Sequence, residues 1–523
     1  MNLGIAVTRN ARSHPTGLAT FDRSSGGDTT RTRTWAELDE RTDRLANALI
    51  EQHGVRPGDR VALLVHNRLE VIEVLVAVHK AAAVYVGLNF RMEPEDFDGI
   101  FDNAEPQLVI TEDEYRDEAA RLAERAGIAV VSMGVDGGDS DYEALIAKGA
   151  ARPTDVVHSS KGDDHACIVY TSGTTGRPKG VLFDHAAMLQ HATVAAIEYE
   201  ITRDTRYLIQ IPHNSSVNIT MAPCLVVGAA VGFADNRGFE PDRFADEVAT
   251  GAVTHTFLVP TQLMRVHAQL PARDPRLATI STLGYGSSPI APDRLGELVD
   301  RFGPVFLQLY GMAEVASIGT LLRKEDHVRA LGPDPWLLRS CGRPSLAIDV
   351  RVVDPDGRDV AEGERGEVIF GGPHLMREYH RDPERTADAV IDGWVHSGDI
   401  AERNPEGFLS IVDRLKHLII RGGQNIAPTD IENVLYRHSG VLEAAVVGAP
   451  DPTWGERIVA VVAPQDGVQL DADEVLKFCV ESDLVRFKHP EEVRIAESLP
   501  KNAVGKIDKA KVRSMFWDGE RAV

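Results

Sequence analysis

A chain of 523 residues is too long for one ordinary domain, so two to four structural units are expected. Hydrophobic residues at 43% and charged residues at 26% fit a globular chain that keeps its surface in water. The net charge of −23 argues against nucleic acid as the main partner and leaves room for a local basic site.

In chain order, the first nine residues lack a basic region followed by a long apolar core, so no secretion signal is expected. Residues 61–65 read as a strand, 69–80 as a helix, and 83–86 and 107–111 as further strands. This βα rhythm predicts an α/β fold of several layers with largely parallel sheet. Residues 166–170 form a short buried strand. Asp184 is placed to cap a helix running to about Glu200, with Met188, Leu189, Ala192, Ala196 and Tyr199 on one face. The most apolar stretch, 221–234, contains Pro223 and is too short to span a bilayer; it reads as a buried strand and helix edge, and no transmembrane segment is expected. Near Val350 the texture changes to short strands separated by Asp-Gly and Pro-Glu-Gly turns, a β-rich subdomain over about 345–415. After Arg414 follows a compact α+β pattern: a strand at 419–420, a helix at 429–437, and strands at 444–447 and 459–463. The main boundary is placed at 413–416, giving a large region 1–415 and a small one 416–523, its tail frayed after Phe516. Cys167, Cys224, Cys341 and Cys479 stand isolated without metal-ligand spacing, the pattern of reduced core residues in a cytoplasmic protein.

Chemistry concentrates in Tyr170-Thr171-Ser172-Gly173-Thr174-Thr175-Gly176-Arg177-Pro178-Lys179-Gly180. Hydroxyls, close-approach glycines and a lysine point charge in one turn suit a polyphosphate. It is not a Walker loop, because Pro178 precedes Lys179 and Gly180 follows it. A flexible linker shares this composition, but structured sequence on both sides argues for a phosphate-gripping turn between strand and helix.

Further segments carry polar groups of the same kind. Tyr310 and Glu314, in Gln308-Leu309-Tyr310-Gly311-Met312-Ala313-Glu314, offer a ring that can stack on a purine and a carboxylate that can hold Mg²⁺, although an isolated Glu after a strand is more often a solvated surface residue. Asp399 in His396-Ser397-Gly398-Asp399 can accept from both ribose hydroxyls, or can be a plain turn residue. Asp413-Arg414-Leu415-Lys416-His417 is charged and lies at the predicted boundary. Gly422-Gly423 makes a loop past which a chain or ligand can run closely. Lys506 follows Gly505 near the C-terminus.

In this order and spacing, these segments resemble the adenylate-forming superfamily of acyl-CoA synthetases, peptide-synthetase adenylation domains and firefly-type luciferases. The resemblance covers nearly the whole chain, from about Thr34 to Lys506. It implies a large N-terminal α/β region followed by a small mobile C-terminal domain. By position, residues 171–179 resemble the ATP phosphate loop, with Thr171 and Lys179 at its ends. Tyr310 is similar to the residue facing adenine, with Gly286, Ser287 and Ser288 as another wall. Gly311 and Ala313 flank this nucleotide site. Glu314 resembles the magnesium carboxylate, Asp399 the ribose anchor, Arg414 a group near ribose and phosphate, Lys416 the hinge, and Lys506 the catalytic lysine of the first half-reaction. His213 matches an aromatic or His position near the substrate carboxylate. The acyl site is expected beside His213, Asn214, Ser215, Val217, Tyr285, Gly286, Gly311 and Met312, with the small residues Gly286 and Gly311 leaving room for a sizeable group. Gly422 and Gly423 border the path of CoA.

The implied function is ATP-dependent conversion of a small-molecule carboxylic acid to acyl-AMP and then to acyl-CoA, with ATP, Mg²⁺ and CoA as cofactors. A free carrier protein as acceptor, a partner enzyme supplying acyl-AMP, and a homodimer stay open; a non-catalytic binder has no need of Glu314 and Lys506. The chain departs from the family pattern at two places. Ala313 stands where Thr is usual, and Asn214-Ser215-Ser216 is more polar than the run often found there, which favours an acid bearing an oxygen function.

Overall fold

A computed structural model describes residues 2–23, 30–135, 138–171, 178–235, 237–465, 467–501 and 507–517. Mostly apolar runs of two to seven residues pair into two large sheets. One has seven strands in the order Glu378–Tyr379, Lys179–Asp184, His165–Thr171, Val84–Gly87, Arg60–Leu64, Leu108–Glu112 and Ala129–Met133. Its last five strands are parallel and its first three antiparallel. The other has nine strands, and six of these run parallel from Phe306–Tyr310 through Thr282–Gly286, His255–Leu258, Arg206–Ile209 and Ala230–Phe233 to Leu18–Arg23.

Helix Glu70–Lys80 is buried over its whole length, among the residues that form the largest apolar cluster. Complete burial of a Val-rich helix requires its charges to be paired. Lys80 Nζ lies 2.6 Å from both Asp39 and Asp43, and Glu73 lies 2.7 Å from Arg41.

A third, antiparallel sheet contains Asp349–Val353, Arg365–Gly371, Trp394–Arg403, Val390–Ile391 and Leu409–Arg414. The fourth contains Ile419–Arg421, Gln424–Ile426, Val441–Asp451, Gly455–Pro464 and Glu492–Ile495, with its own core. The change of sheet falls at the single turn Leu415–His417. The molecule is mixed α/β, with a large N-terminal and a smaller C-terminal domain. All four cysteines are buried and unbonded. No helix among the described residues is long and apolar enough to cross a membrane.

One local expectation is corrected. The hydroxyl-rich loop does not lead from a strand into a helix: Thr171 and Lys179 are cross-strand partners, so it closes a β-hairpin. The helix His185–Glu198 starts only after the second strand, where the Asp184 carboxylate accepts from the Ala187 N–H at 2.8 Å.

Candidate active site

Ser172, Gly173, Thr174, Thr175 and Gly176, together with Lys506, lie outside the described residues. The hairpin that carries the loop is anchored at its base. Lys179 Nζ stands 4.8 Å above the ring of Tyr379, and the Tyr379 hydroxyl donates to the Glu314 carboxylate. Strand Glu378–Tyr379 reaches this place by pairing with Lys179–Asp184, and the Met376 N–H donates to the Glu314 carbonyl at 2.8 Å. Sequence reasoning misses Tyr379; a tyrosine in a short strand far from the loop gives no local signal.

Glu314 is buried in the turn Ala313–Val315, just beyond the strand Phe306–Tyr310. At that strand's end the Tyr310 hydroxyl donates to Asp399 Oδ2 at 2.8 Å, and Arg414 Nε contacts Asp399 Oδ1 at 3.0 Å. Asp399 and Arg414 face each other across antiparallel strands. Burial and the neighbouring Asp399 push Tyr310 well above its ordinary range, so it remains a phenol and a donor. Asp399 is therefore not a bare acceptor. Each carboxylate oxygen has two lone pairs, and one on each stays available for a ribose hydroxyl.

Ser287 and Ser288 are exposed just past the strand Thr282–Gly286, and Ser287 has a φ of 72°. Ligands of open α/β sheets bind outside the carboxyl ends of parallel strands, which is where Ser287, Tyr310 and Glu314 lie.

Two acyl-site expectations change. Tyr285 points away from this region: its hydroxyl is 2.8 Å from His327 Nε2, and its ring packs edge-on against Phe306 in a separate cluster. Alternation along the strand explains this, since Gly284 and Gly286 share one face and Tyr285 takes the other. Gly286 and Gly311 do not mark open volume on their Cβ side. A Cβ on Gly286 would lie 2.4 Å from the Leu309 carbonyl oxygen, and one on Gly311 would lie 2.8 Å from the Ser317 carbonyl. Close backbone approach accounts for both glycines. Met312 is half-buried beside them.

His213 opens the short helix His213–Ser216, and the π-helical turn Val217–Met221 follows. Turns of this type interrupt helices often at functional sites. His213 Nδ1 is 3.1 Å from the hydroxyl of Tyr85, a partner that no sequence pattern indicates. Burial pulls the imidazole down to about 4, so it is neutral at physiological pH. Its Nε2, Asn214 Oδ1 and Asn218 Oδ1 are buried without a hydrogen-bond partner. Val217 is buried with them, and Ser215 is half-buried.

The turn Leu415–His417 faces the hairpin electrostatically. Burial and the nearby Arg414, Lys179 and Arg513 draw the Lys416 ammonium down to about 8. Part of the Lys416 surface still meets water, so solvent screening moderates both the burial effect and the repulsion. The Gly422–Gly423 pair has a local reason: both have positive φ, 56° and 79°, in the two-residue turn between Ile419–Arg421 and Gln424–Ile426.

A different cluster, His66, Glu112 and Glu114, brings three residues with metal-ligand atoms within 4.8 Å of one another among the described residues. Arg68 and Arg237 stand 3.2 and 3.8 Å from Glu112, so guanidinium charge already balances it. Glu314 better fits Mg²⁺, which takes one or two carboxylates when phosphates and water supply the remaining ligands.

The chain is similar along almost its whole length to the feruloyl-CoA synthase of an Amycolatopsis species, at 36% identity over 516 residues covering 98% of this chain and 99% of that protein. It is 33% identical over 495 residues to the indoleacetate–CoA ligase of Aromatoleum aromaticum, covering 93% of each. The solved structure of ATP-bound MatB from Rhodopseudomonas palustris aligns with a TM-score of 0.86 at 29% identity, covering 99% of both chains; the apo form of that protein aligns at 0.74. The AMP-binding enzyme family matches residues 7–380, and the AMP-binding enzyme C-terminal domain matches residues 430–506. The chain belongs to the AMP-binding enzymes of the adenylate-forming superfamily, in the acyl-CoA synthetase branch.

Proposed function

We propose that the chain activates a carboxylic acid with ATP as acyl-AMP, releasing pyrophosphate, and then passes the acyl group to the thiol of CoA, releasing AMP. The observation that carries this reading is the corner where the hairpin base, Glu314 and the Tyr310–Asp399–Arg414 cluster meet at the ends of parallel strands. In the first step a carboxylate oxygen attacks the α-phosphorus, so two anions must approach. Lys179 and Lys506 supply positive charge, and the loop hydroxyls supply hydrogen bonds to the phosphates. Mg²⁺ held at Glu314 would neutralise further phosphate charge. In the tautomer in which Tyr85 donates to His213 Nδ1, the imidazole carries its proton on Nε2 and can donate to the acid's carboxylate without adding net charge. Residues 1–415 hold the acid and nucleotide, and residues 416–523 form the moving domain that serves each half-reaction in turn.

Pyrophosphate release across a panel of acids, with acyl-AMP identified by mass spectrometry, tests the first step. Thioester formation with CoA and with a phosphopantetheinyl carrier protein identifies the acceptor. Acyl transfer to the carrier alone would replace CoA in the reading, and absence of acyl-AMP with every acid would overturn its first step.

The low proton affinity of Lys416 predicts a pH dependence. Without nucleotide it loses its charge near pH 8. A bound triphosphate favours the charged form and raises its proton affinity, so binding takes up protons around and above pH 8. ATP affinity should therefore be flat below about pH 7 and fall roughly tenfold by about pH 9, since it drops about one decade per pH unit where the lysine is neutral in the free protein and charged in the complex. Calorimetric titrations across this range should show the fall in the wild type and lose it in Lys416→Met.

Ala313 gives a third expectation. It stands half-buried immediately before Glu314. A Thr hydroxyl there can bond a phosphate oxygen, and a hydrogen bond to a charged group contributes about 1.5–3 kcal/mol, or about one to two decades in rate when made mainly in the transition state. Ala313→Thr should accelerate pyrophosphate release by roughly 10- to 100-fold and leave thioester formation from supplied acyl-AMP unchanged. Unchanged pyrophosphate release would show that the hydroxyl has no such role here.

A further inference from the structure

His191 and His374 are both fully buried, with ring centroids 5.4 Å apart, and all four of their ring nitrogens lack a hydrogen-bond partner. His79, His185, His213 and His380 are buried with one ring nitrogen unpartnered, and further buried histidines leave none. His327 uses both nitrogens, on the Arg323 carbonyl and the Tyr285 hydroxyl, and His255 uses both, on Thr254 and the Tyr199 carbonyl. Burying an unpaired polar group costs about 1–3 kcal/mol, so two such rings side by side are expected only where something else completes them.

Their position indicates what that is. His191 lies on helix His185–Glu198, which packs against the π-helical turn carrying Val217 and Asn218. His374 lies two residues before Met376, whose N–H is bonded to the Glu314 carbonyl. Met376, Val217 and Met188 belong to one apolar cluster. The pair is thus buried in the same apolar core that packs against the turn Val217–Met221, in and next to which Asn218 and Asn214 also leave buried side-chain oxygens unpartnered, and it lies away from the exposed Ser287 and Ser288.

We infer that the His191–His374 pair recognises a neutral hydroxyl group on the acyl moiety of the substrate acid, at the end remote from its carboxylate. This rests on the acid-activating reading above and narrows its substrate class. Each neutral imidazole has one donor and one acceptor. A hydroxyl can donate to the bare nitrogen of one ring and accept from the N–H of the other, which an alkyl or unsubstituted aryl end cannot do. Two uncharged rings in an apolar surround provide no counter-charge, so a second carboxylate or an ammonium is disfavoured there.

The test uses two pairs of acids, para-hydroxycinnamate against cinnamate and ω-hydroxydodecanoate against dodecanoate, with kcat/KM for pyrophosphate release as the readout. The wild type should prefer the hydroxylated member of at least one pair by about tenfold or more, the scale of one to two net hydrogen bonds. His191→Phe and His374→Met should bring that ratio to within about twofold of unity, leaving the KM for ATP unmoved. No hydroxyl preference in the wild type, or a preference that both variants keep, overturns the inference. Should no acid yield acyl-AMP, the activation reading fails separately, and calorimetric binding of the same four acids decides this one by the same ratio. Should the variants not fold, nitrogen NMR of the wild-type histidines decides it: changes in the His191 and His374 ring resonances with a hydroxylated acid and not with its parent support it, and equal or absent changes overturn it.

Discussion

Replacing Lys506 by Ala is expected to slow acyl-adenylate formation by about 10²–10³-fold, the scale for removing one preorganised donor to developing charge. The step brings a carboxylate against a triphosphate, and the transition state concentrates negative charge around the α-phosphorus. Neighbouring lysines are poorly placed to substitute. Lys501 is held 2.6 Å from Glu443, and Lys509 is held 2.8 Å from Glu432, which also accepts from the Val446 N–H. Lys501 and Ile507, on either side of the segment containing Lys506, form an antiparallel bridge, and the Asp508 N–H donates to the Pro500 carbonyl at 2.8 Å. The thioester step makes a different demand: a thiol attacks an acyl carbonyl and AMP departs, with no pyrophosphate to stabilise. Thioester formation from synthetic acyl-AMP and CoA should therefore be largely spared. Pyrophosphate release and thioester formation, measured separately, check this; equal loss in both would remove the argument for two arrangements of the C-terminal domain.

Much of the scaffold is legible in the sequence because fully buried parallel strands leave short apolar runs. The strand expected at 61–65 is Arg60–Leu64, and the helix expected at 69–80 is Glu70–Lys80. The strand after Lys179 escapes such a reading, because a short apolar segment beside a helix has no distinctive period. Within the candidate site, the sequence singles out residues in recognisable segments but not the distant partners that bond them. Glu314 and Asp399 stand in recognisable segments; Tyr379 and Tyr85, which bond Glu314 and His213, meet them through strand pairing and packing that no local pattern announces. Tyr285 illustrates the opposite limit. It is adjacent in sequence to Gly286, yet the pleat of the strand turns it to the other face, where His327 and Phe306 receive it.

Lys416→Pro is expected to leave acyl-AMP formation largely intact and to lower thioester formation by about 10²-fold or more, the scale of loss when a reacting group is misplaced by about 1 Å. The turn Leu415–His417 connects the last strand of the third sheet to the first strand of the fourth, so a rotation of the C-terminal domain passes through it. Its two sides are fastened in this arrangement: the Asp413 carboxylate accepts from the Thr429 N–H at 2.9 Å and from its hydroxyl at 3.0 Å, and Arg513 donates to the Lys416 carbonyl at 3.3 Å. Proline fixes φ near about −65°, a value compatible with a 3₁₀ turn, and it resists the dihedral change that a hinge must absorb. It also restricts Leu415, and the loss of the Lys416 charge weakens ATP binding, so the absolute rate of adenylation will fall somewhat. The diagnostic quantity is the ratio of the two half-reactions at saturating ATP. Lys416→Ala removes the same charge without fixing φ and should keep that ratio near the wild-type value. A Pro variant with both steps intact would place the hinge at another residue, and a Pro variant that loses adenylation while keeping the thioester step would mean that the turn is locked in the opposite arrangement.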